Sequence, residues 1–387
     1  MEGWETILLN EVIREDSILL GRGNIISSKD IAEIPGSYPI YSSSAKSNGE
    51  FGRYGNFMFN EELITWSIDG GGRFFYRLKH KFSVTNVCGY MRVSPSRWNT
   101  RFVYYLLDLQ HKNIAFDYQT KAHPSVIKNL YFLVRLPIEE QTQIAAILST
   151  IDRTIEQTEA IIAKQQRIKT GLMQDLLTKG IDENGNVRSE ATHKFKDSPL
   201  GQIPAEWEVK TLNKVASLQR GHDIREIDLI PGNCPVIASS GIIGFHKFST
   251  SSAPNVVVGR KGSIGNVHYI DSDFWAHDTS LFVTNFFGNH EKYVYYLFSN
   301  LKLERFGTKS GSPSLNRNDI HPLLVGIPNS TEQRKIVRVL SECDKSLTGF
   351  SEELEKNKRR KTGLMQDLLT GNVRVTALLN DRAKTSL

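Results

Sequence analysis

The sequence predicts an α+β protein that is built twice, with two similar, mainly β domains separated by two long helices that form an antiparallel coiled coil. Three observations predict this fold. The ten residues Lys169–Thr178 recur unchanged at Lys361–Thr370 in a chain of 387 residues. The same offset of 192 residues extends backwards through a heptad pattern. A second block, Trp4-Glu5, recurs at Trp207-Glu208. This period is too long for a solenoid and indicates two copies of one unit about an approximate two-fold axis.

Composition and charge are those of an ordinary globular protein. Hydrophobic residues make up 39% of the chain and charged residues 23%, and the formal net charge of +6 permits a polyanionic partner. Cys88, Cys234 and Cys343 are isolated, so neither a disulfide framework nor a zinc site is indicated. There is no secretory signal and no apolar run of membrane-spanning length, which makes the cytoplasm the expected compartment.

The two mainly β domains are predicted at residues 1–136 and 199–328. Both contain short β-type runs broken by Gly, Ser and Asn. Each also has one short predicted helix, near residues 101–109 and 291–300. The predicted strands include Tyr38–Tyr41, Leu63–Trp66, Phe82–Val84, Pro235–Ile237, Asn255–Val258 and Ser280–Val283.

The two long helices are predicted at residues 137–180 and 329–370. Pro137 opens the first helix, and Ser330 or Thr331 is expected to cap the second. Gly180 and Gly371 stand where C-terminal glycine caps belong. A polar linker, residues 181–198, and a tail, residues 371–387, complete the chain.

A heptad seam runs along each helix for about five heptads. An antiparallel pair is favoured because a parallel pair would need a long return connection. The alternative is two amphipathic helices that pack only on their own domains. Lys169 and Lys361 interrupt the seam at equivalent places. The predicted seam residues are Ile144, Leu148, Ile151, Ile155, Ile162, Gln165, Leu172 and Leu176, and Ile336, Leu340, Leu347, Phe350, Leu354, Asn357, Leu364 and Leu368.

The repeated decapeptide predicts a repeated partner surface. Packing alone would preserve its leucines and leave the other positions free to vary. Recent duplication with little drift is the alternative explanation. The candidate partner-binding residues are Thr170, Gln174, Asp175, Thr362, Gln366 and Asp367.

Two kinds of loop in the β domains are candidates for nucleic-acid contacts. The first is Gly259–Gly265, with its counterpart Asp69–Arg73, which is interpreted as a tight β-turn rather than a phosphate-binding loop. The second is the pair of Pro-containing segments 121–129 and 309–318, whose lysine, hydroxyl, amide and arginine groups suit phosphate and base-edge contacts. Serine clusters lie after two of the strands. Ordinary solvated loops remain the alternative. The candidate residues are Ser43, Lys46, Arg73, Lys121, His123, Lys128, Ser239, Ser240, His246, Arg260, Lys261, Lys309, Ser312, Asn316 and Arg317.

No catalytic or metal-binding motif is found in the sequence. There is no H-E-x-x-H pair, no G-x-S-x-G elbow and no P-loop. The duplicated architecture therefore favours recognition over catalysis. A coiled-coil scaffold that does not bind DNA and an enzyme with an unrecognised active site are the two alternatives.

The chain resembles the specificity subunit of type I restriction–modification systems. The resemblance covers essentially the whole chain. It is carried by Glu140-Gln141 and Glu332-Gln333 near the helix starts, by the pattern R-x-K-T-G-L-M-Q-D-L-L-T that closes each helix, and by the phrase Phe195–Pro204. The first unit lacks a copy of that phrase, and the tail 371–387 is expected to take over part of its place.

The resemblance implies a non-catalytic protein that recognises DNA sequence. Residues 1–136 and 199–328 would be target-recognition domains, and each would read one half of a bipartite, asymmetric site in double-stranded DNA. The helix pair would fix the gap between the half-sites and dock two methyltransferase subunits, and restriction (motor) subunits would join for cleavage. S-adenosylmethionine, ATP and magnesium would belong to those partners.

Overall fold

The computed structural model describes residues 4–43, 47–69, 71–114, 116, 121–224, 230–307 and 313–376. The chain forms two compact units. The first unit comprises residues 1–159 and 353–387, and the second comprises residues 160–352. Each long helix therefore contributes one part to each unit.

The first unit is built on a mixed sheet whose strand order is β2-β7-β5-β6-β3-β4. Neighbouring strands are antiparallel except β3 and β6, which run parallel. Strands β1 and β8 form a separate antiparallel ribbon. The elements are β1 (Glu5–Leu8), α1 (Leu9–Arg14), β2 (Ile18–Arg22), α2 (Ser28–Glu33), β3 (Tyr38–Tyr41), β4 (Glu50–Tyr54), β5 (Phe59–Ser67), β6 (Phe74–Val84), β7 (Cys88–Val93), α3 (Thr100–His111), α4 (Pro124–Leu130) and β8 (Phe132–Arg135).

The second unit repeats this plan with its strands divided between two sheets, β12-β18-β15-β16 and β14-β13-β17. The ribbon β11–β19 corresponds to β1–β8. The segment Phe195–Pro204, one of the segments that carry the family resemblance, forms the hairpin β9–β10. The elements are β9 (Phe195–Ser198), β10 (Gly201–Pro204), β11 (Glu208–Thr211), β12 (Ser217–Arg220), β13 (Cys234–Ala238), β14 (Gly241–His246), β15 (Asn255–Gly259), β16 (Val267–Ile270), β17 (Trp275–Ala276), β18 (Ser280–Asn285), α6 (Glu291–Asn300), α7 (Arg317–Ile320) and β19 (Leu324–Ile327).

The two long helices are α5 (Ile138–Thr178) and α8 (Ser330–Leu369). Gly180 and Gly371, just beyond their ends, have φ values of 71° and 83°, as predicted for C-terminal caps. The predicted N-terminal cap of α8 is wrong. Asn329, and not Ser330 or Thr331, caps the helix, because its Oδ1 accepts a hydrogen bond from the Glu332 N–H at 3.0 Å.

Within each unit the two long helices run in opposite directions. In the first unit, Lys361 pairs with Asp152 and Lys358 pairs with Glu159. The residue numbers of α5 therefore increase along the pair while those of α8 decrease. In the second unit, Lys169 pairs with Asp344, and the Ile181 N–H, just beyond the end of α5, donates to Glu332 near the start of α8. All the predicted seam residues on α5 and α8, both fully described, are buried or half-buried. The contacts between the helices in each unit therefore agree with the predicted antiparallel arrangement.

Each unit has its own hydrophobic core, to which both long helices contribute. The first core joins Trp66 and Phe102 to Ile144 of α5 and Leu368 of α8. The second core likewise contains residues of both helices, Leu176 and Leu340 among them. The helices are thus integral to both units, because their apolar faces complete the cores of the β domains.

Candidate nucleic-acid interface

The loop Gly259–Gly265 of the second unit is a turn closed by its own backbone. The Gly259 N–H donates to the Asn266 carbonyl at 2.7 Å, and the Gly265 N–H donates to the Gly259 carbonyl at 2.9 Å. Gly262 and Gly265 have positive φ values, which a glycine tolerates. Since the N–H groups of Gly259 and Gly265 are already bonded to backbone carbonyls, the turn interpretation is favoured over a phosphate-binding loop.

This turn contacts the second predicted segment directly. The Leu315 N–H donates to the Arg260 carbonyl at 2.8 Å, and Lys261 and Ser314 form an isolated antiparallel bridge. The Leu315 side chain is fully buried, so it fixes the segment on the domain. Two segments about 50 residues apart in sequence are therefore held together by backbone hydrogen bonds.

A polar groove of about 810 Å³ opens beside this junction. Three of the predicted residues, Arg260, Asn316 and Arg317, line it. One guanidinium nitrogen of Arg260, Nη1, is buried with no hydrogen-bond partner among the described residues. The Asn316 side chain caps α7 by accepting a hydrogen bond from the Asn318 N–H at 3.0 Å, and Arg317 is exposed.

The groove is also lined by basic residues that the sequence did not single out. Arg220 and His222 line it, and Arg220 is held by Asp278 at 2.7 Å. Asp223 is the single carboxylate among the lining residues that the structure describes, against three arginines. Such a surplus of guanidinium groups attracts phosphates of a nucleic-acid backbone.

The first unit joins its two predicted loops in the same way. The Ala122 N–H donates to the Ile68 carbonyl at 3.0 Å, and Lys121 pairs with Asp69 at 2.9 Å. Arg73 is exposed and lies over the ring of Phe75 at 5.3 Å. The segment pairing seen in the second unit is thus a property of both copies.

The other candidate residues differ in what the structure assigns to them. His123 caps α4, because its Nδ1 accepts a hydrogen bond from the Ser125 N–H. Ser239 and His246 are only 7% and 4% exposed and pack in the interior of the second unit. Their burial does not suit a direct contact with DNA. Ser240 is exposed, and Ser43 and Lys128 are half-buried. Lys46, Lys309 and Ser312 lie outside the described residues.

The repeated Glu-Gln pairs near the helix starts are anchors. The Gln141 side chain accepts from the Asn99 N–H and donates to the carbonyls of Arg97 and Leu136. In the second unit Gln333 accepts from the His290 N–H and donates to the Pro328 carbonyl and to the Asn289 Oδ1. These buried side chains attach each long helix to its β domain, which explains why the pair recurs.

The adjacent glutamates bind arginines from outside the helices. Glu140 forms a two-pronged ion pair with Arg374, with both distances 2.8 Å. Glu332 pairs with Arg188 and also accepts a hydrogen bond from the Trp207 indole at 3.3 Å. The linker and the tail thus each supply an arginine that pairs with the buried glutamate near the start of a long helix.

The repeated decapeptide presents equivalent surfaces in its two copies. Its leucines Leu176 and Leu368 are buried, whereas most of the six candidate partner-binding residues are exposed. Asp175 is half-buried and pairs with Lys179 at 2.9 Å. The internal packing of the chain therefore leaves five of the six largely accessible.

Comparison with known proteins agrees with these features. The model of the type I restriction modification DNA specificity domain matches residues 1–166 and 204–357. The chain belongs to the type I restriction–modification DNA specificity family. It is 23% identical to the type I restriction enzyme MjaVIII specificity subunit of Methanocaldococcus jannaschii over 420 residues, covering 97% of this chain and 94% of that one.

Two solved structures share the fold of this chain. The S subunit of a type I system from M. genitalium superposes with a TM-score of 0.67 at 20% identity, covering 95% of this chain and 96% of that one. A chain from a structure of an assembled type I system gives a TM-score of 0.55 at 13% identity, covering 96% and 99%. The predicted fold class, two similar α+β domains with long helices, is confirmed.

Two further properties of the described residues bear on function. None of their helices is long and apolar enough to span a bilayer. Nor do they hold a group of three or more His, Cys, Asp or Glu side chains placed to bind a metal ion.

Proposed function

We propose that this specificity-family chain is the non-catalytic subunit that selects DNA sequence for a type I restriction–modification complex. Its two β domains each read one half of a bipartite, asymmetric site. The chain itself catalyses no reaction, and the subunits that it recruits carry out catalysis. The complex would work in the cytoplasm, where the DNA of a prokaryotic cell is accessible.

The observation that carries this proposal is the joined pair of loops in each domain. Backbone bonds hold the two segments together in both units, while the side chains at the junction differ between them. Arg260 and Arg317 mark the second junction, and Lys121 and Arg73 mark the first. A common scaffold with different exposed side chains suits two readers of different sequences, because backbone contacts position a protein on DNA and side chains at base edges specify sequence.

The helix pair would set the distance between the half-sites. Forty residues of helix extend about 60 Å at about 1.5 Å per residue. Two readers gain specificity together only when their spacing matches the duplex repeat, about 34 Å per turn. A rigid helix pair supplies a fixed spacing at no cost in linker entropy.

Two methyltransferase subunits would dock on the two copies of the decapeptide surface. Its accessible side chains include Thr170 and Gln174 in one copy and Thr362 and Gln366 in the other. Ile161, an exposed apolar residue of α5, adds area that a partner would cover. Restriction subunits would join this assembly, and the partners would bind S-adenosylmethionine, ATP and magnesium.

The test is a domain exchange followed by methylome sequencing. Residues 1–136 are replaced by the corresponding domain of another specificity subunit, and the chimera is expressed with its methyltransferase partner. We expect one half-site of the methylated sequence to change while the other half-site and the gap stay the same. The reciprocal exchange of residues 199–328 is the control and should change the opposite half-site. A change in both half-sites would contradict the proposal.

A further inference from the structure

A pocket in the first unit is lined by four arginines. It has a volume of about 620 Å³ and lies where β6, α3 and α5 meet. Arg73 immediately precedes β6, Arg77 lies in β6, and Arg101 and Arg153 come from α3 and α5. Arg73 also belongs to the loop junction of the first unit described above, whereas Arg77, Arg101 and Arg153 do not.

The carboxylates in the same pocket do not balance this charge. Asp152 and Glu156 also line it. Asp152 is already bound to Lys361 at 2.7 Å and to the Tyr105 hydroxyl at 2.6 Å. Glu156 is then left to face four guanidinium groups, so the described lining has a clear excess of positive charge.

Arg77 is the most unusual of the four arginines. Its side chain is 2% exposed, and its Nε donates to the Thr65 hydroxyl at 2.9 Å. The two terminal nitrogens are buried with no hydrogen-bond partner among the described residues. The Arg77 Cζ lies over the ring of Tyr41, 3.6 Å from its centroid. Buried polar groups in native proteins almost always have a partner, so these donors call for one.

The charge on Arg77 persists at neutral pH. Burial lowers its pKa to about 10, which is still far above 7. The neighbouring groups that raise this pKa are Tyr41, Cys88 and Tyr104, and none of these is a carboxylate. A buried cation without an internal counter-ion favours an anionic ligand.

The second unit contains the same pocket without this arginine. Arg101 lies over Tyr76 at 4.4 Å in the first unit, and Lys292 lies over Tyr269 at 5.4 Å in the second. Ile270 follows Tyr269 at the place where Arg77 follows Tyr76. The second pocket, of about 470 Å³, is lined by a single Lys or Arg among the described residues, Lys292.

We propose that the pocket around Arg77 binds a phosphate group and that the equivalent pocket around Ile270 does not. Guanidinium groups bind phosphate through paired, charge-assisted hydrogen bonds. Two sources share this chemistry, a phosphodiester of the DNA backbone and a free phosphate compound. The DNA source rests on the proposed function, whereas binding of free phosphate does not.

The first experiment measures inorganic phosphate binding to the full-length chain by calorimetry. Arg101→Gln keeps the buried core intact and removes one cation from the pocket, and Arg77→Met removes the buried one. Lys292→Gln and Ile270→Met are the matched controls in the second unit. We expect each arginine variant to weaken phosphate binding about tenfold, the loss typical of one charge-assisted hydrogen bond. The controls should match the unmodified chain.

The second experiment measures DNA binding by the chain assembled with its methyltransferase partner, as a function of salt. If the ligand is a backbone phosphate, Arg101→Gln reduces the salt slope by about one and Lys292→Gln does not. If phosphate binding falls while the slope is unchanged, the pocket serves a free phosphate compound.

Two results would overturn the inference. One is that Arg101→Gln leaves both phosphate affinity and the DNA salt slope unchanged. The other is that Lys292→Gln reduces them as much as Arg101→Gln does. Failure of the unmodified complex to bind DNA, with phosphate binding retained and sensitive to Arg101, would count against the proposed function and leave the pocket standing.

Discussion

Lys361 forms an ion pair with Asp152, with 2.7 Å between Nζ and Oδ1, and Asp152 also accepts a hydrogen bond from the Tyr105 hydroxyl at 2.6 Å. The second unit repeats this triad. Lys169 lies 2.5 Å from Asp344, which accepts a hydrogen bond from Tyr296 at 2.6 Å. Each triad ties both long helices to the short helix of its own β domain. The lysines that interrupt the seam therefore connect the two long helices through an ion pair with an aspartate.

We expect Lys361→Met to lower the free energy of unfolding by about 1–2 kcal/mol, because it leaves a partly buried carboxylate with one partner fewer. Lys169→Met should have a similar effect in the second unit. Lys358→Met is the control, since its ion pair with Glu159 is about half exposed and should contribute less than about 1 kcal/mol. Urea denaturation of the four proteins measures this. An equal loss in Lys358→Met and Lys361→Met would argue against a special role for the triad.

The Glu140–Arg374 ion pair predicts that the tail is needed for stability. Glu140 is 1% exposed, so Arg374→Met leaves a buried carboxylate without its ion-pair partner and should lower the melting temperature. Arg188→Met should cost less, because Glu332 keeps its hydrogen bonds from Trp207 and from the Ile181 N–H. Thermal unfolding of both variants gives the order. A larger loss for Arg188→Met would show that these remaining bonds do not compensate.

The groove of the second unit predicts an electrostatic effect on DNA binding. Arg317→Gln removes an exposed cation from the groove and should lower the salt slope of DNA binding by about one, with no change in the preferred sequence if the contact is to phosphate. Arg338→Gln, on the exposed side of α8, is the control. Fluorescence anisotropy with a duplex at several salt concentrations measures the slope. Equal slopes for all three proteins would exclude Arg317 from the interface.

The stability of the second unit should depend on pH through His321. Its Nε2 accepts a hydrogen bond from the Leu218 N–H at 3.0 Å, and burial, with a smaller effect of Arg317, lowers its pKa below 6.5. As pH falls through 6.5 the unfolded chain takes up this proton before the folded chain does. The contribution of His321 is therefore complete above pH 6.5 and is lost as pH falls to the lower folded pKa.

Replacing His321 by Gln should remove this part of the acid sensitivity. Urea unfolding at several pH values between 7.5 and 5 compares the variant with the unmodified chain. We expect a shallower fall in stability for the variant. Parallel pH profiles would mean that His321 does not contribute.

The internal repeats allowed the architecture to be predicted, because they identify equivalent positions in the two copies of the unit. Lys169 and Lys361 were recognised as polar seam residues, yet their partners Asp344 and Asp152 could not be assigned, since a heptad pattern does not say which residues meet across a helix pair. Nor did the sequence show why Glu140-Gln141 recurs. Its role as a buried anchor depends on contacts with distant loops.

Individual interface residues were predicted less well. Ser239 and His246 have suitable chemistry for a groove but are buried, because a strand pattern does not fix which loop ends turn inwards. Arg77 and Arg220 were missed for the opposite reason. Arg77 lies within a strand and has Ile270 as its counterpart, so no repeat marks it. Only the pocket geometry brings it together with Arg101 and Arg153.

The spacing role of the helix pair is tested most directly by methylome sequencing after deletion of one heptad from each helix. Residues 159–165 and 351–357 are equivalent at the offset of 192, and removing both keeps the seam in register. Each helix then shortens by about 10 Å at about 1.5 Å per residue. We predict methylated sites with both half-sites unchanged and a gap about 3 bp shorter, given about 3.4 Å per base pair. Methylation at sites that keep the original gap would contradict the account.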